Sequence, residues 1–494
     1  MLLSLLCMRV VLNSLGVEDF GIYNVVGGVI GFLGFLNLSL SRATQRFISF
    51  NEGTGNSKQK KSIFNMSVVI HLIFSVFLFS ILFLAGYIFF NGVLKIAEER
   101  LYAAKFVYLC MIVNAVISVL SVPYIAILNA HENMRYFSAI GIIESILHLL
   151  VAYIIKYSTF DKLIVYGILM TSVPLISLVL YSTYCIRKYE ECVFSPSTFW
   201  NTRLLKQMLS FAGWNLFSTM AGCVSNQGRS VVGNMFYGVS LNAALAIAIQ
   251  VDVYLKTFSS NMLKAVEPVI VKGEGAGNSV QKMISYTLSS TKMSFYIFVI
   301  FVVPFFIEMP YILNLWLKNV PEFAVVFCRF QLMTSLFDQL GATFDTTIYA
   351  HGKIKSFSLV SSVLYIISIT CIYILFRCGM PPYIMFIPVI LFNVVSYRLL
   401  GFLILRHYYD LKTKLYIKEV LFPCLTTFLL TLSVTAALLI MNQSLLRLLL
   451  TFVSSSFIFL CLLYSIGINT AERNVINNIL CRLRMIITTK ISNI

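Results

Sequence analysis

The chain has 494 residues, 59% of them hydrophobic and only 12% charged, with a formal net charge of +17. A soluble domain carries about 25% charged residues, so no water-soluble core can hide this much apolar surface and a soluble enzyme is excluded. The positive charge lies mainly in short segments between apolar runs, which reads as membrane topology and argues against nucleic acid as a partner.

The opening stretch Met1 to Leu15 contains Arg9 and lacks the basic start and small-residue cleavage site of a signal peptide. It reads as the end of a first span whose start is missing, an expectation that would make fourteen spans in the intact protein. Segment 22–50 follows, with Gly27, Gly28, Gly31 and Gly34. No strand precedes these glycines, so they fit close helix packing rather than a dinucleotide cofactor. Next come charge-free runs from Ser62 to Leu94, Phe106 to Ala130 and Leu163 to Ile186. Spanning a bilayer takes roughly 20 such residues. Segments 136–155, 208–235, 241–271, 286–307 and 323–350 carry one to a few charges, and Ser356 to Phe376, Cys378 to Tyr397, Val420 to Leu446 and Leu448 to Ala471 carry none. The total is thirteen spans.

When alternate loops are assigned to one side, about twenty Lys and Arg residues fall on that side and about eight on the other, which places the first set and the C-terminal tail in the cytoplasm. The opposite loops are short. Eleven cysteines occur without a CxxC pair, so neither zinc nor a disulfide framework is expected.

The chain also repeats itself. Glu52-Gly-Thr-Gly-Asn-Ser-Lys-Gln-Lys60 aligns with Glu274-Gly-Ala-Gly-Asn-Ser-Val-Gln-Lys282, seven identities in nine, and Ala130-His131 aligns with Ala350-His351 at nearly the same offset. Both copies are expected in cytoplasmic loops, giving two parallel six-span lobes related by an axis along the membrane normal. The expected divisions are 1–190, 191–410 and an unrepeated hairpin with a basic tail, 411–494. Two such lobes normally flank a central cavity.

Cations inside the spans mark candidate sites, because an Arg or Lys at the bilayer centre costs roughly 2.5–3.5 kcal/mol and tends to face a partner or a wet cavity. Arg9 and Arg229 nearly correspond in the repeat, and Arg42 corresponds to Lys264. Arg46 lies one turn beyond Arg42, and Lys256 lies two turns before Lys264. The cavity-facing reading makes these six residues a binding site for an anion such as a phosphate or diphosphate. The alternative is snorkelling to headgroups or pairing with nearby acids. Among the acids, Asp338 and Asp345 are seven apart and expected on one face of the tenth span. With Asp252 they are candidates to bind a coupling proton or sodium ion, and interhelical hydrogen bonding is the rival reading. His71 and His148 read as packing residues.

Arg9-Val-Val-Leu-Asn-Ser-Leu-Gly-Val-Glu-Asp-Phe-Gly-Ile-Tyr-Asn-Val-Val-Gly-Gly28, Ser41-Arg-Ala-Thr-Gln-Arg46, Gly213-Trp-Asn215 and Asn226-Gln-Gly228 resemble the Wzx-type flippases of the multidrug, oligosaccharidyl-lipid and polysaccharide (MOP) exporter superfamily. Asn242-Ala-Ala-Leu245 departs from the pattern, with Leu where Arg often stands. The resemblance implies an all-α membrane fold like that of the multidrug and toxin extruding (MATE) transporters: two six-helix lobes plus a C-terminal helix pair, working by alternating access. It implies transfer of undecaprenyl-diphosphate-linked oligosaccharide across the bacterial inner membrane for lipopolysaccharide, O-antigen or capsule assembly. A polymerase and glycosyltransferases are the implied working partners. The expected activity is transport without covalent chemistry. The rivals are a MATE-type multidrug antiporter, whose cationic cargo favours an acidic cavity, and a membrane polymerase or glycosyltransferase, which needs a catalytic loop absent from the sequence pattern.

Overall fold

The computed structural model describes residues 34–90, 97–317, 320–469 and 472–474, with scattered positions between 7 and 27. Among the described residues the chain is almost entirely helical and contains no strand. The first helices are α1 (Gly34–Thr54), α2 (Ser57–Ile88), α3 (Glu98–Ala130), α4 (Met134–Tyr157) and α5 (Lys162–Lys188). They are followed by α6 (Thr202–Tyr237), α7 (Val239–Gly275), α8 (Val280–Leu317), α9 (Ala324–Gln339), α10 (Phe344–His351) and α11 (Lys355–Arg377). The last are α12 (Pro382–Tyr409), α13 (Thr413–Ile440) and α14 (Leu445–Gly467). Ten helices among the described residues are long and apolar enough to cross a membrane. The expected spans 22–50, 208–235 and 323–350 are represented by α1, α6 and the pair α9 and α10, which are more polar or shorter.

Local chemistry sets the helix starts. Asn56, Asn133 and Asp161 each accept a hydrogen bond from a backbone N–H in the first turn that follows, opening α2, α4 and α5. These caps satisfy donors that have no partner within the helix. The faces are arranged for lipid. Along α13, Thr427, Thr431 and Thr435 are buried while Leu429, Leu430 and Val434 are exposed. Each of these threonine hydroxyls bonds back to the carbonyl four residues earlier, so small polar side chains pack inward with no unmet donor. Such an inward face suits helix association in a bilayer, where close packing rather than water exclusion holds helices together.

The chain divides into two compact units. The first comprises Met1–Met220, Pro268–Asn278 and Tyr349–Ser358. In it, α3 packs against α1, α2 and α5, and α4 packs against α5. The second comprises Ala221–Glu267, Ser279–Ile348 and Leu359–Ile494. There α8 packs against α9, α13 and α14.

Two expectations need correction. The tenth span is not one helix: residues 340–343 form turns between α9 and α10. Amide bonds three residues back, Leu340 to Phe337 and Gly341 to Asp338, replace the helical ladder there. Gly341 explains the local geometry, since a Cβ on it would lie 2.7 Å from Cδ of Arg398 and 2.9 Å from the Phe344 ring. The duplicated motif is likewise not wholly loop. Gly53 and Gly275 lie in the last turns of α1 and α7, and the chain leaves the helix at Gly55 and Gly277, both with φ near +70°. That backbone conformation favours glycine at both repeat positions.

Candidate functional site

The second unit holds a half-buried polar cluster built from four helices. Asp338, one residue before the end of α9, accepts from Lys256 Nζ of α7 at 2.8 Å and from Arg398 Nη2 of α12 at 2.6 Å. The same guanidinium reaches Asp345 of α10, Nη1 to Oδ1 at 3.0 Å, and Tyr397 donates to the other Asp345 oxygen at 3.1 Å. The helix break at 340–343 is what allows one arginine to serve both carboxylates. Two cations thus face two anions, so the cluster balances its own charge and Lys256 is engaged by protein.

Asp252, a third acid of the second unit, feels the charges of Lys256 and Asp338 without a salt bridge to Lys256. It is 6% exposed on α7, accepts from Gln331 Nε2 at 3.2 Å and leaves its Oδ1 without a hydrogen bond. Arg229 on α6 is 4% exposed, makes no salt bridge among the described residues, and has an unpartnered Nε, with Asp252 acting on it as a nearby opposite charge. Its guanidinium carbon lies 5.8 Å from the centroid of the Phe386 ring. One turn before it, Ser225 accepts from Asn393 Nδ2 at 3.1 Å. A buried guanidinium with no carboxylate at hydrogen-bond distance is costly, and it offers planar donors matched to phosphate oxygens.

Arg42 is exposed on α1 and Lys264 is exposed on α7. Arg46 donates from Nε to the Tyr349 carbonyl at 3.0 Å and from Nη2 to the Ala350 carbonyl at 3.1 Å. It therefore caps the C-terminal end of α10, where helix carbonyls lack partners. Arg9, Gly28 and Gly31 lie outside the described residues. His71 is buried, with Nδ1 2.7 Å from the Ser67 carbonyl oxygen, as a packing residue would be.

Arg398 is the residue that sequence reasoning missed. It directly follows the charge-free run ending at Tyr397 and reads there as a flanking residue. The available signal was two intramembrane carboxylates in need of a cation. The motif end of the first unit holds another unread cluster. His131 Nε2 lies 2.5 Å from Glu191, and its Nδ1 lies 3.6 Å from Glu52. The ligand atoms of these three residues come within 4.8 Å of one another, as in a metal site. Lys60, however, sits 2.6 Å from Glu52 and already supplies a cation. Burial pushes the Glu191 carboxyl pKa up, but the hydrogen bond from His131, a backbone hydrogen bond and the charges of His131 and Lys60 together hold the value below the ordinary one.

The sequence profile of the family described as polysaccharide biosynthesis protein matches residues 1–274. No curated protein sequence matches the chain. Among solved structures, the chain is similar to an outward-facing multidrug resistance MATE family transporter of the MOP superfamily. That match has TM-score 0.73 and 16% identity, covering 83% of this chain and 92% of the other. A MATE transporter in the bent conformation matches with TM-score 0.73 and 16% identity, covering 83% and 91%. A MOP superfamily transporter from Pyrococcus furiosus, for which reverse polarity of the binding pocket suggests a different function, matches with TM-score 0.69 and 18% identity, covering 83% and 92%. At these identities the likeness establishes the fold.

Proposed function

Because the chain belongs to the polysaccharide biosynthesis protein family, a group of MOP-superfamily transporters, we propose that it is a flippase for undecaprenyl-diphosphate-linked oligosaccharide in the bacterial cytoplasmic membrane, with its C-terminus in the cytoplasm. The observation that carries this reading is Arg229, 4% exposed within a helix, with its Nε unpartnered and no salt bridge among the described residues, Asp252 acting on it only as a nearby charge. A polar headgroup crosses hydrocarbon only where protein groups replace its hydration, and an arginine grips diphosphate oxygens through two parallel hydrogen bonds. Arg42 and Lys264, exposed on their own helices, serve in this proposal as further attractants for an anionic headgroup, each within its unit. Asp252 is the proposed site for the coupling proton or sodium ion.

Export of a cationic drug fits the charges less well, since Asp338 and Asp345 are already matched by Lys256 and Arg398. The test is complementation of a flippase-deficient strain together with measurement of inserted protein. Arg229→Glu abolishes export with normal insertion, because a carboxylate at low dielectric repels the diphosphate. Arg229→Lys is milder but impaired, since lysine acts as a point charge. Normal complementation by a well-inserted Arg229→Glu variant overturns the assignment.

A further inference from the structure

We propose that the two copies of the duplicated Glu-Gly-x-Gly-Asn-Ser motif form a self-complementary latch between α1 and α7, and that parting of this latch is a step of the transport cycle. The inference rests on the protein being a transporter. It does not depend on the substrate, so its failure would leave the flippase reading standing.

The contact obeys the repeat. A Cβ on Gly53 of α1 would collide with the Lys272 carbonyl oxygen of α7, and a Cβ on Gly275 of α7 would collide with the Phe50 carbonyl oxygen of α1. Phe50 corresponds to Lys272, as Gly53 does to Gly275, at the same offset. Each copy therefore presents one glycine and one carbonyl to the other, which is the pattern of an isologous interface. The close approach is backbone against backbone, so rotation of a side chain cannot relieve a clash at either glycine. Glycine is required here because two helix ends touch.

The histidines of the repeat brace the same motif. His131 Nδ1 lies 3.6 Å from Glu52, and His351 Nδ1 lies 3.1 Å from Glu274. The two sequence matches, far apart along the chain, thus describe one structural unit made twice: the helix end bearing Glu and Gly, tied to the helix end bearing His. Two further contacts cross between the sequence halves. Lys272 reaches Glu132 at 3.3 Å, and Arg46 caps the Tyr349 and Ala350 carbonyls. Gly352, with φ +90°, leaves the space that the Arg46 guanidinium occupies.

The composition of the contact suits one that must open. The Lys272 and Glu132 side chains remain 37% and 44% exposed, and exposed pairs of this kind hold weakly. The glycine contact is backbone against backbone, and the Arg46 hydrogen bonds end on carbonyls that water can serve instead. Backbone fit makes the closed arrangement specific, while the polar ties leave it breakable.

The experiment uses the full chain in lipid nanodiscs, with spin labels at Thr54 and Ala276, both exposed, and reads the distance distribution by pulsed electron resonance. The unsubstituted protein populates a short separation. Gly53→Ala and Gly275→Ala each lower that short population several-fold in favour of longer separations. Arg46→Ala, which introduces no clash, gives a smaller shift in the same direction and decides the matter if the glycine variants do not fold. Folded variants with an unchanged distribution overturn the latch, as does a distribution in the unsubstituted protein that lacks the short component.

Discussion

Arg447 and Glu308 form a bidentate ion pair, Nε to Oε1 at 2.9 Å and Nη2 to Oε2 at 2.7 Å, with side chains 5% and 0% exposed. The pair fastens α14, part of the unrepeated C-terminal hairpin, to α8. Thr451 adds a bond to Glu308 at 3.0 Å and Arg447 one to the Met441 carbonyl at 2.7 Å, so both charges are well satisfied. Removing one partner of such a pair costs about 3–5 kcal/mol because the other charge stays buried and unmatched. Arg447→Met should therefore lower the thermal unfolding midpoint in detergent sharply. The double variant Arg447→Met with Glu308→Leu should recover most of the loss. A double variant no better than the single one would show that the pair does not act as a unit.

Arg398 is predicted to hold α9 and α10 together through charge balance. Arg398→Gln leaves Lys256 paired with Asp338 and takes from Asp345 its charge partner. The expected outcome is poor recovery of monodisperse protein by gel filtration. Adding Asp345→Asn restores the balance and should raise recovery above that of Arg398→Gln alone. Recovery that stays unchanged would mean the network is not needed for folding.

Asp252 is predicted to couple transport to an ion gradient, since it is a buried carboxylate with one oxygen that has no hydrogen bond. Asp252→Asn should insert normally and transport at a rate that no longer responds to a proton or sodium gradient. Vesicles with imposed gradients read this directly. A gradient response equal to that of the unsubstituted protein would remove Asp252 from the coupling role.

Glu191 gives a pH-dependent contribution whose sign follows from its lowered pKa. A carboxyl with a depressed pKa in the folded state adds stability that is complete above its unfolded value and lost as pH falls through the folded one. A hydrogen bond to a charged group is worth about 1.5–3 kcal/mol. Glu191→Gln should therefore reduce the unfolding midpoint at neutral pH, with the difference closing in acid below the ordinary carboxyl value of 4.5. Thermal melts across a pH series test this, and a difference constant with pH would contradict it.

Most of the spans and the duplication are legible in the amino-acid sequence, because both signals are local. Apolar length decides which segments enter lipid, and the Glu52 and Glu274 motifs announce the repeat through identity alone. The sequence also marked Arg229 and Asp252, since charges inside apolar segments stand out wherever the chain later puts them. Only the tertiary structure decided which charges meet. Asp338 and Asp345 were legible as a pair, but their shared partner Arg398 lies 53–60 residues further on, and no local pattern records that encounter. Arg46 read as a cavity cation, and its capping of α10 depends on chain more than 300 residues away. The turn at 340–343 was hidden because hydropathy averages over a window and does not register a few amides that bond three residues back instead of four. Hydropathy reports where a segment lies relative to lipid, whereas an ion pair depends on how separately placed helices pack, and that is settled only in three dimensions.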